Sequence, residues 1–179
     1  DLVQSDPAGK IILVRSGSFG TLAYSFYNTE GILLDSFEQS WDADLPLPAV
    51  VIDPRSSSVV LLDMIGRLEQ RQFDGSLHWK KELIRDPVFS YENTFFLSFD
   101  SGGHIIAAIS LPVSESESGF TSHVFRLDTR GDVEHTFSRR KAKILNFAVT
   151  EQNQSGLMIK NQAEGSTGSE IETLILNAD

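Results

Sequence analysis

The chain has 179 residues, 40 % of them hydrophobic, enough to bury a sizeable core in one domain or two small ones. Its formal net charge of −10 excludes a broad electrostatic footprint for nucleic acid or anionic membrane, and the absence of cysteine excludes disulfides, thiolate chemistry and Cys-ligated zinc. No apolar run approaches the roughly 20 residues of a membrane helix, and Asp1 to Asp6 lack a basic region followed by an apolar stretch, so neither membrane insertion nor a signal peptide is expected in this chain.

Short Val, Ile, Leu and Phe runs punctuated by Gly, Ser, Asn and Asp are the texture of an all-β chain rich in hairpins. One phrase recurs: an apolar run ending in Asp, a turn, and a second apolar run. Residues 2–6 end in Asp6; the turn Pro7-Ala8-Gly9 leads to residues 10–14, a third strand over 22–27, the turn Asn28-Thr29-Glu30-Gly31 and a fourth strand over 32–37. The second copy has residues 49–53 ending in Asp53, then strands over 58–62, 68–73 and 76–79, with Asp74-Gly75 as its last turn. In the third, residues 95–100 end in Asp100, and strands follow over 104–109, 123–127 and 132–137, the last after Asp128-Thr129-Arg130-Gly131. Asp6, Asp53 and Asp100 thus stand 47 residues apart. A fourth copy puts Thr150 in the Asp place after residues 145–149, continues through 156–160 and 171–176, and stops at Asp179 with no fourth strand.

The second strands, such as Ile11-Ile12-Leu13-Val14 and Val59-Val60-Leu61-Leu62, are apolar on both pleat faces and need cover on both sides. Four-stranded antiparallel units that need a neighbour on each face are propeller blades, for which ~40–50 residues is the usual period. The expected fold is therefore all-β: an antiparallel β-propeller segment of about four blades, with repeats over approximately 1–47, 48–94, 95–144 and 145–179 and the last blade incomplete. A β-sandwich is the runner-up, and the equal spacing argues against it. The unfinished fourth copy marks either a segment of a longer propeller, the favoured reading, or an open edge that pairs with a strand from another chain.

Asp6-Pro7-Ala8-Gly9-Lys10-Ile11-Ile12-Leu13-Val14 resembles the opening of a delta-60 repeat, a bacterial β-propeller repeat. Leu176-Asn177-Ala178-Asp179 and Leu127-Asp128-Thr129-Arg130-Gly131 ahead of Phe137 are similar to its close, as is Asp35-Ser36-Phe37 after Gly31 with one extra residue. The likeness covers most of the first copy and parts of the third and fourth; the second copy departs from it, and the repeats are shorter than the family's. The resemblance implies a secreted or surface bacterial protein, hence an extracellular, cell-surface or periplasmic place, and it brings no catalytic residues to carry over.

Chemistry is sparse. Each repeated Asp reads as the acceptor that closes its own turn rather than as one of a ring of carboxylates. His78, His104, His123 and His135 show no HxH or HExxH spacing, so no metal site is expected. No Gly-x-Ser-x-Gly elbow is present, Gly17-Ser18-Phe19-Gly20 reads as a hairpin loop, and no cofactor is expected. Asn153-Gln154-Ser155 matches a glycosylation sequon, relevant only in a eukaryotic secretory setting.

In a propeller the second-to-third and inter-blade connections share one face. They include an acidic loop at 113–119, a small polar one at 163–169, and inter-blade stretches at 38–44, 81–93 and 138–143, the last densely basic. Trp41, Phe89, Tyr91, Phe120, Arg139, Arg140 and Lys141 are the binding candidates on that face, as apolar anchors with mixed charge. The functional expectation is a non-catalytic scaffold or binding module of a larger surface or secreted protein, with a protein or glycan partner. The alternatives are a propeller enzyme, hydrolase or lyase, with a central-channel site, and an assembly module completed by a strand from another chain.

Overall fold

The computed structural model describes residues 1–6, 8–17, 20–42, 45–88, 90–113, 119–150, 154–162 and 169–176. Among them are fifteen strands and no helix. Sheet 1 comprises β1 (Leu2–Ser5), β2 (Ile11–Ser16), β3 (Thr21–Tyr27) and β4 (Leu33–Ser40); sheet 2 comprises β5 (Ala49–Ile52), β6 (Ser58–Leu62), β7 (Arg67–Gln72) and β8 (Leu77–Glu82). Sheet 3 follows with β9 (Thr94–Phe99), β10 (Ile105–Pro112), β11 (Phe120–Leu127) and β12 (Val133–Arg140). Sheet 4 has three strands, β13 (Ala142–Val149), β14 (Ser155–Gln162) and β15 (Ser169–Leu176). Every sheet is an antiparallel meander in chain order, and among the described residues no closed barrel forms.

Local chemistry sets the hairpins. Asp6 Oδ1 accepts the Lys10 N–H at 2.8 Å, Asp53 Oδ1 that of Arg55 at 2.9 Å, and Asp100 Oδ1 that of His104 at 2.7 Å. Thr150 Oγ1 takes the Gln154 N–H at 3.2 Å in the fourth copy. The repeated Asp is thus a turn residue, as its spacing predicts. The same device closes β3–β4 at Asn28, β6–β7 at Asp63 and β11–β12 at Asp128, each with a glycine three residues on. At Gly131 two demands coincide: φ is +79°, and a Cβ there would come within 2.9 Å of the Trp79 ring.

The first strands pack on one another in order, β1 on β5, β5 on β9 and β9 on β13, so the sheets fan out from a shared line of inner strands. Apolar side chains fill each gap between neighbours. Ile12, Val14, Leu22 and Phe26 meet Val50, Ile52, Val59, Leu61 and Phe73 between sheets 1 and 2. Val60, Leu62 and Leu68 meet Ile105, Ile109 and Leu127 between sheets 2 and 3. Ile106, Ala108 and Val124 meet Ile144, Leu157 and Ile159 between sheets 3 and 4. Accordingly β6 is buried on both faces and β10 nearly throughout, as their sequence demands.

The end sheets differ. In β2, Ile12 and Val14 are buried while Ile11 and Leu13 on the opposite face are only partly covered, and Val3 beside Leu13 is 66 % exposed. On sheet 4 the outward positions Ile171 and Ile175 are 64 % and 63 % exposed, with Met158 also open.

The fourth strands run further than their sequence suggests. Residues 138–140, expected in an inter-blade loop, are paired strand: Arg139 lies opposite Ser122 and Arg140 opposite Thr121. Lys141 alone, with φ +54°, links β12 to β13. A charged edge strand and a solvated loop have the same composition, because both face water.

Candidate functional site

Concave places lie along the inner strands and between sheets 1 and 2. The first lies at the turn end of the inner strands, a cavity of about 470 Å³ to which all four sheets contribute, among them Ser5, Asp6, Ile52, Ser98, Asp100 and Thr150. Among the described residues the carboxylates that line it are Asp6 and Asp100. Asp100 is engaged: beyond its turn bond, Oδ2 lies 3.0 Å from His104 Nδ1 and 3.4 Å from Arg126 Nη2. Glu134 completes this cluster, 3.6 Å from His104 Nε2 and 3.9 Å from Arg126 Nε. Asp6 keeps one buried oxygen, Oδ2, without a hydrogen-bond partner. Also among the inner strands, a cavity of about 360 Å³ is lined mainly by apolar side chains such as Leu2, Val50, Phe95, Leu97 and Phe147. Among the described residues no three His, Asp or Glu side chains converge as a metal site.

The second is a cleft of about 250 Å³ between sheets 1 and 2, walled by Tyr24, Gln39, Trp41, Asp42, Arg67, Glu69 and Lys80. It opens where β4 leaves for β5 and where β6 turns into β7. Trp41 is fixed there at both ends: its backbone N–H donates to Gly20 O at 2.7 Å, and its indole N–H to Leu45 O at 3.3 Å. Glu69 anchors the floor, accepting from Arg71 Nε at 2.9 Å and from Gln39 Nε2 at 2.8 Å, while Arg67 Nε donates to Asp63 Oδ2 at 2.6 Å. Two polar atoms are left over. Tyr24 Oη and Gln39 Oε1 are buried with no hydrogen-bond partner, an arrangement that costs a fold about 1–3 kcal/mol per group.

Burial would raise the Glu69 carboxyl, but hydrogen bonds from Arg71 and Gln39 and the charges of Arg71 and Lys80 hold it below its usual 4.5. A depressed folded-state pKa gives stability that is present above the unfolded value and lost as pH falls through the folded one. Glu69→Gln is therefore expected to cost about 1–2 kcal/mol at pH 7. Urea denaturation followed down to acid pH should show the gap between variant and wild type closing below pH 4.5; a gap that stays constant refutes the assignment.

The sequence-derived candidates separate into two groups. Trp41 belongs to the cleft between sheets 1 and 2. Near the junction of sheets 3 and 4, Lys143 Nζ sits 4.4 Å over the Phe120 ring and 3.9 Å from Glu92 Oε2, next to Tyr91, which is 69 % exposed. Arg140 lies across from Thr121, adjoining Phe120. Arg139 instead reaches sheet 4, where Nη2 donates to Glu172 Oε2 at 2.9 Å. The hydrogen bond from Asn161 Nδ2, and then the one from Arg139, hold the Glu172 carboxyl below its usual value. Lys141 is the turn residue described above. Phe89, Asn153 and the loop tips at 114–118 and 163–168 lie outside the described residues. Tyr24, Gln39 and Glu69 were not legible as site residues; the available signal was polar Glu69 in β7, a strand buried at its centre, whereas Gln39 stands in the largely exposed β4.

No family profile and no curated protein sequence matches the chain. Solved structures do. A protein of unknown function from Bacteroides caccae superposes with a TM-score of 0.54 at 9 % identity, over 94 % of this chain and 58 % of that one. A protein from Lactobacillus plantarum superposes with a TM-score of 0.58 at 9 % identity, over 99 % of this chain and 55 % of that one. At such identity the likeness concerns the fold alone. The chain spans little more than half the length of either neighbour.

Proposed function

We propose that the chain is an arc of about four blades of an antiparallel β-propeller and serves as a non-catalytic scaffold and binding module in a surface or secreted bacterial protein. Its loop face, with Trp41 at one junction and Tyr91, Phe120 and Arg140 at another, meets a protein or glycan partner. The delta-60 resemblance supports the setting. One observation supports the non-catalytic part: among the described residues at this cavity a single carboxylate oxygen, Asp6 Oδ2, is left unbonded, whereas hydrolysis by paired carboxylates needs two. The test is incubation of the protein with chromogenic glycosides, esters and uronic-acid polysaccharides. No turnover above background is expected, and turnover that Asp6→Asn abolishes overturns the reading.

A second reading is favoured by the open ends. Sheet 4 lacks a fourth strand beside β15 among the described residues, and the outward faces of sheets 1 and 4 expose apolar side chains where interior sheets are covered. Exposed apolar strand faces and open edges invite β-partners. In this reading a second copy of the chain covers them. Light scattering then detects a dimer or larger assembly, which Ile171→Lys with Ile175→Lys returns to monomer. A monomeric wild type at about 100 μM, a concentration at which an assembly with micromolar Kd would form, rejects it.

A further inference from the structure

Every junction between neighbouring sheets has a direction. Successive side chains of a strand point to opposite faces, so an interior sheet turns one face to the sheet before it and the other to the sheet after it. Sheet 2 shows both: Val59 and Leu61 pack with Ile12 and Phe26 of sheet 1, whereas Val60 and Leu62 pack with Ile105 and Leu127 of sheet 3. Sheet 3 repeats the alternation, with Ile105 and Ala107 turned back to sheet 2 and Ile106 and Ala108 turned on to sheet 4. The polar clasps keep the same sense. Lys10 Nζ, in the first turn of sheet 1, donates to Ser56 O in that of sheet 2 at 3.3 Å. From that second turn Arg55 Nη2 donates to Gly103 O in the first turn of sheet 3 at 2.6 Å. Three times over, an onward face is covered by a backward one.

Among the described residues the two end faces are the unmatched halves of this scheme. Ile12 and Val14 face sheet 2, so the other face of sheet 1, where Val3, Leu13 and Ser25 lie side by side on β1, β2 and β3, points backward. Val3 is 66 % exposed there. In sheet 4, Leu157, Ile159 and Leu174 pack toward sheet 3, so Met158, Ile171 and Ile175 form the onward face, and both isoleucines are largely exposed. One molecule thus leaves open an onward face and a backward face, each the kind of surface that the other meets inside the fold. Pairing like with like would join two onward faces or two backward ones, a contact that none of the described sheets makes.

A head-to-tail contact either closes into a ring or runs on as a filament, and curvature decides which. Ser5 of sheet 1 and Thr150 of sheet 4 line one cavity, so the four sheets curve about an axis. Two arcs of four sheets supply eight, within the roughly four to eight blades of propellers. Both solved neighbours carry this fold in a chain nearly twice as long.

We infer that two copies of the chain associate head to tail, the onward face of sheet 4 in each covering the backward face of sheet 1 in the other, and so close into a ring of eight sheets. The inference rests on the second-copy reading and adds which face meets which.

Two double variants test it. Val3→Lys with Ser25→Lys spoils the backward face, and Ile171→Lys with Ile175→Lys spoils the onward one. In light scattering at about 100 μM the wild type should be a dimer, and each variant alone a monomer, because its intact face finds only a spoiled partner. An equimolar mixture of the two should recover a dimer, since their intact faces meet once; unfolded variants would not do so. With one contact in place of two, that heterodimer should dissociate at least about a hundredfold more readily than the wild-type ring. If either variant still dimerises alone, like faces pair, which overturns the head-to-tail inference and leaves the second-copy reading standing. A mixture that stays monomeric overturns the inference as well. Wild-type assemblies that grow past two copies with concentration are filaments and overturn the ring. A monomeric wild type overturns both the inference and the reading beneath it.

Discussion

Phe26→Ala is expected to lower stability by about 3–5 kcal/mol, the largest effect of any single truncation considered for the gap between sheets 1 and 2. The Phe26 ring stacks on Phe73 with centroids 4.1 Å apart and lies 5.9 Å from Phe37, which itself stacks on Tyr24 at 4.5 Å. Four rings thus bridge the two sheets, and Phe26, 1 % exposed, occupies their centre. Truncation removes apolar area and leaves a void that rigid strands on both sides cannot close. Against the ~5–15 kcal/mol typical of a folded domain, such a loss is a large fraction of the total. Phe26→Leu keeps most of the volume and should cost about 1–2 kcal/mol. Urea denaturation measures both, and a Phe26→Ala cost under about 1 kcal/mol would show that the stack is not a structural bridge.

Asp100→Ala should cost about 3–5 kcal/mol, the range for removing one partner from a buried ion pair, and more than the same change at the equivalent Asp6. Both aspartates close the first hairpin of their sheet through one backbone N–H. Only Asp100 also faces a histidine and an arginine, with its own side chain 1 % exposed and that of Arg126 18 % exposed. Losing the carboxylate strips an enclosed guanidinium of its nearest counter-charge, leaving Glu134 at 3.9 Å. Asp6→Ala removes a plain turn acceptor and should cost about 1 kcal/mol. Asp100→Asn keeps a turn oxygen but not the charge, and should fall between. Equal costs at Asp6 and Asp100 would mean that the ion cluster adds nothing to the turn.

The contrast between those two positions also shows how far the sequence could be read. The 47-residue spacing was legible because an Asp that folds back on its own turn is local chemistry, visible in a few consecutive residues. That sheet 4 has three strands among the described residues was legible for the same reason, since in the earlier copies the fourth strand follows a short Gly-containing turn. Whether Asp100 meets Arg126 depends on how β11 lies beside β10, which no short window encodes. The basic run at 138–140 reads as a loop because edge strands and loops are equally polar. The cleft was hidden for a deeper reason. Tyr24 sits at an inward-facing position of a regular apolar alternation, where a sequence reads simply as core. Its unpartnered hydroxyl emerges only when sheet 2 is set against sheet 1.

The three apolar fillings between the sheets are separate, each shared by two adjacent sheets. That arrangement makes the molecule close to a one-dimensional stack, whose free energy is a sum of unit and nearest-neighbour terms. Among the described residues sheets 2 and 3 each share two such interfaces, and sheets 1 and 4 share one. Local opening should begin at the ends, so amide exchange would slow from β15 inward to β6 and β10. The same additivity means that gaining or losing a whole sheet disturbs only its immediate neighbour. A chain of this kind can change length by duplication without having to rebuild its core.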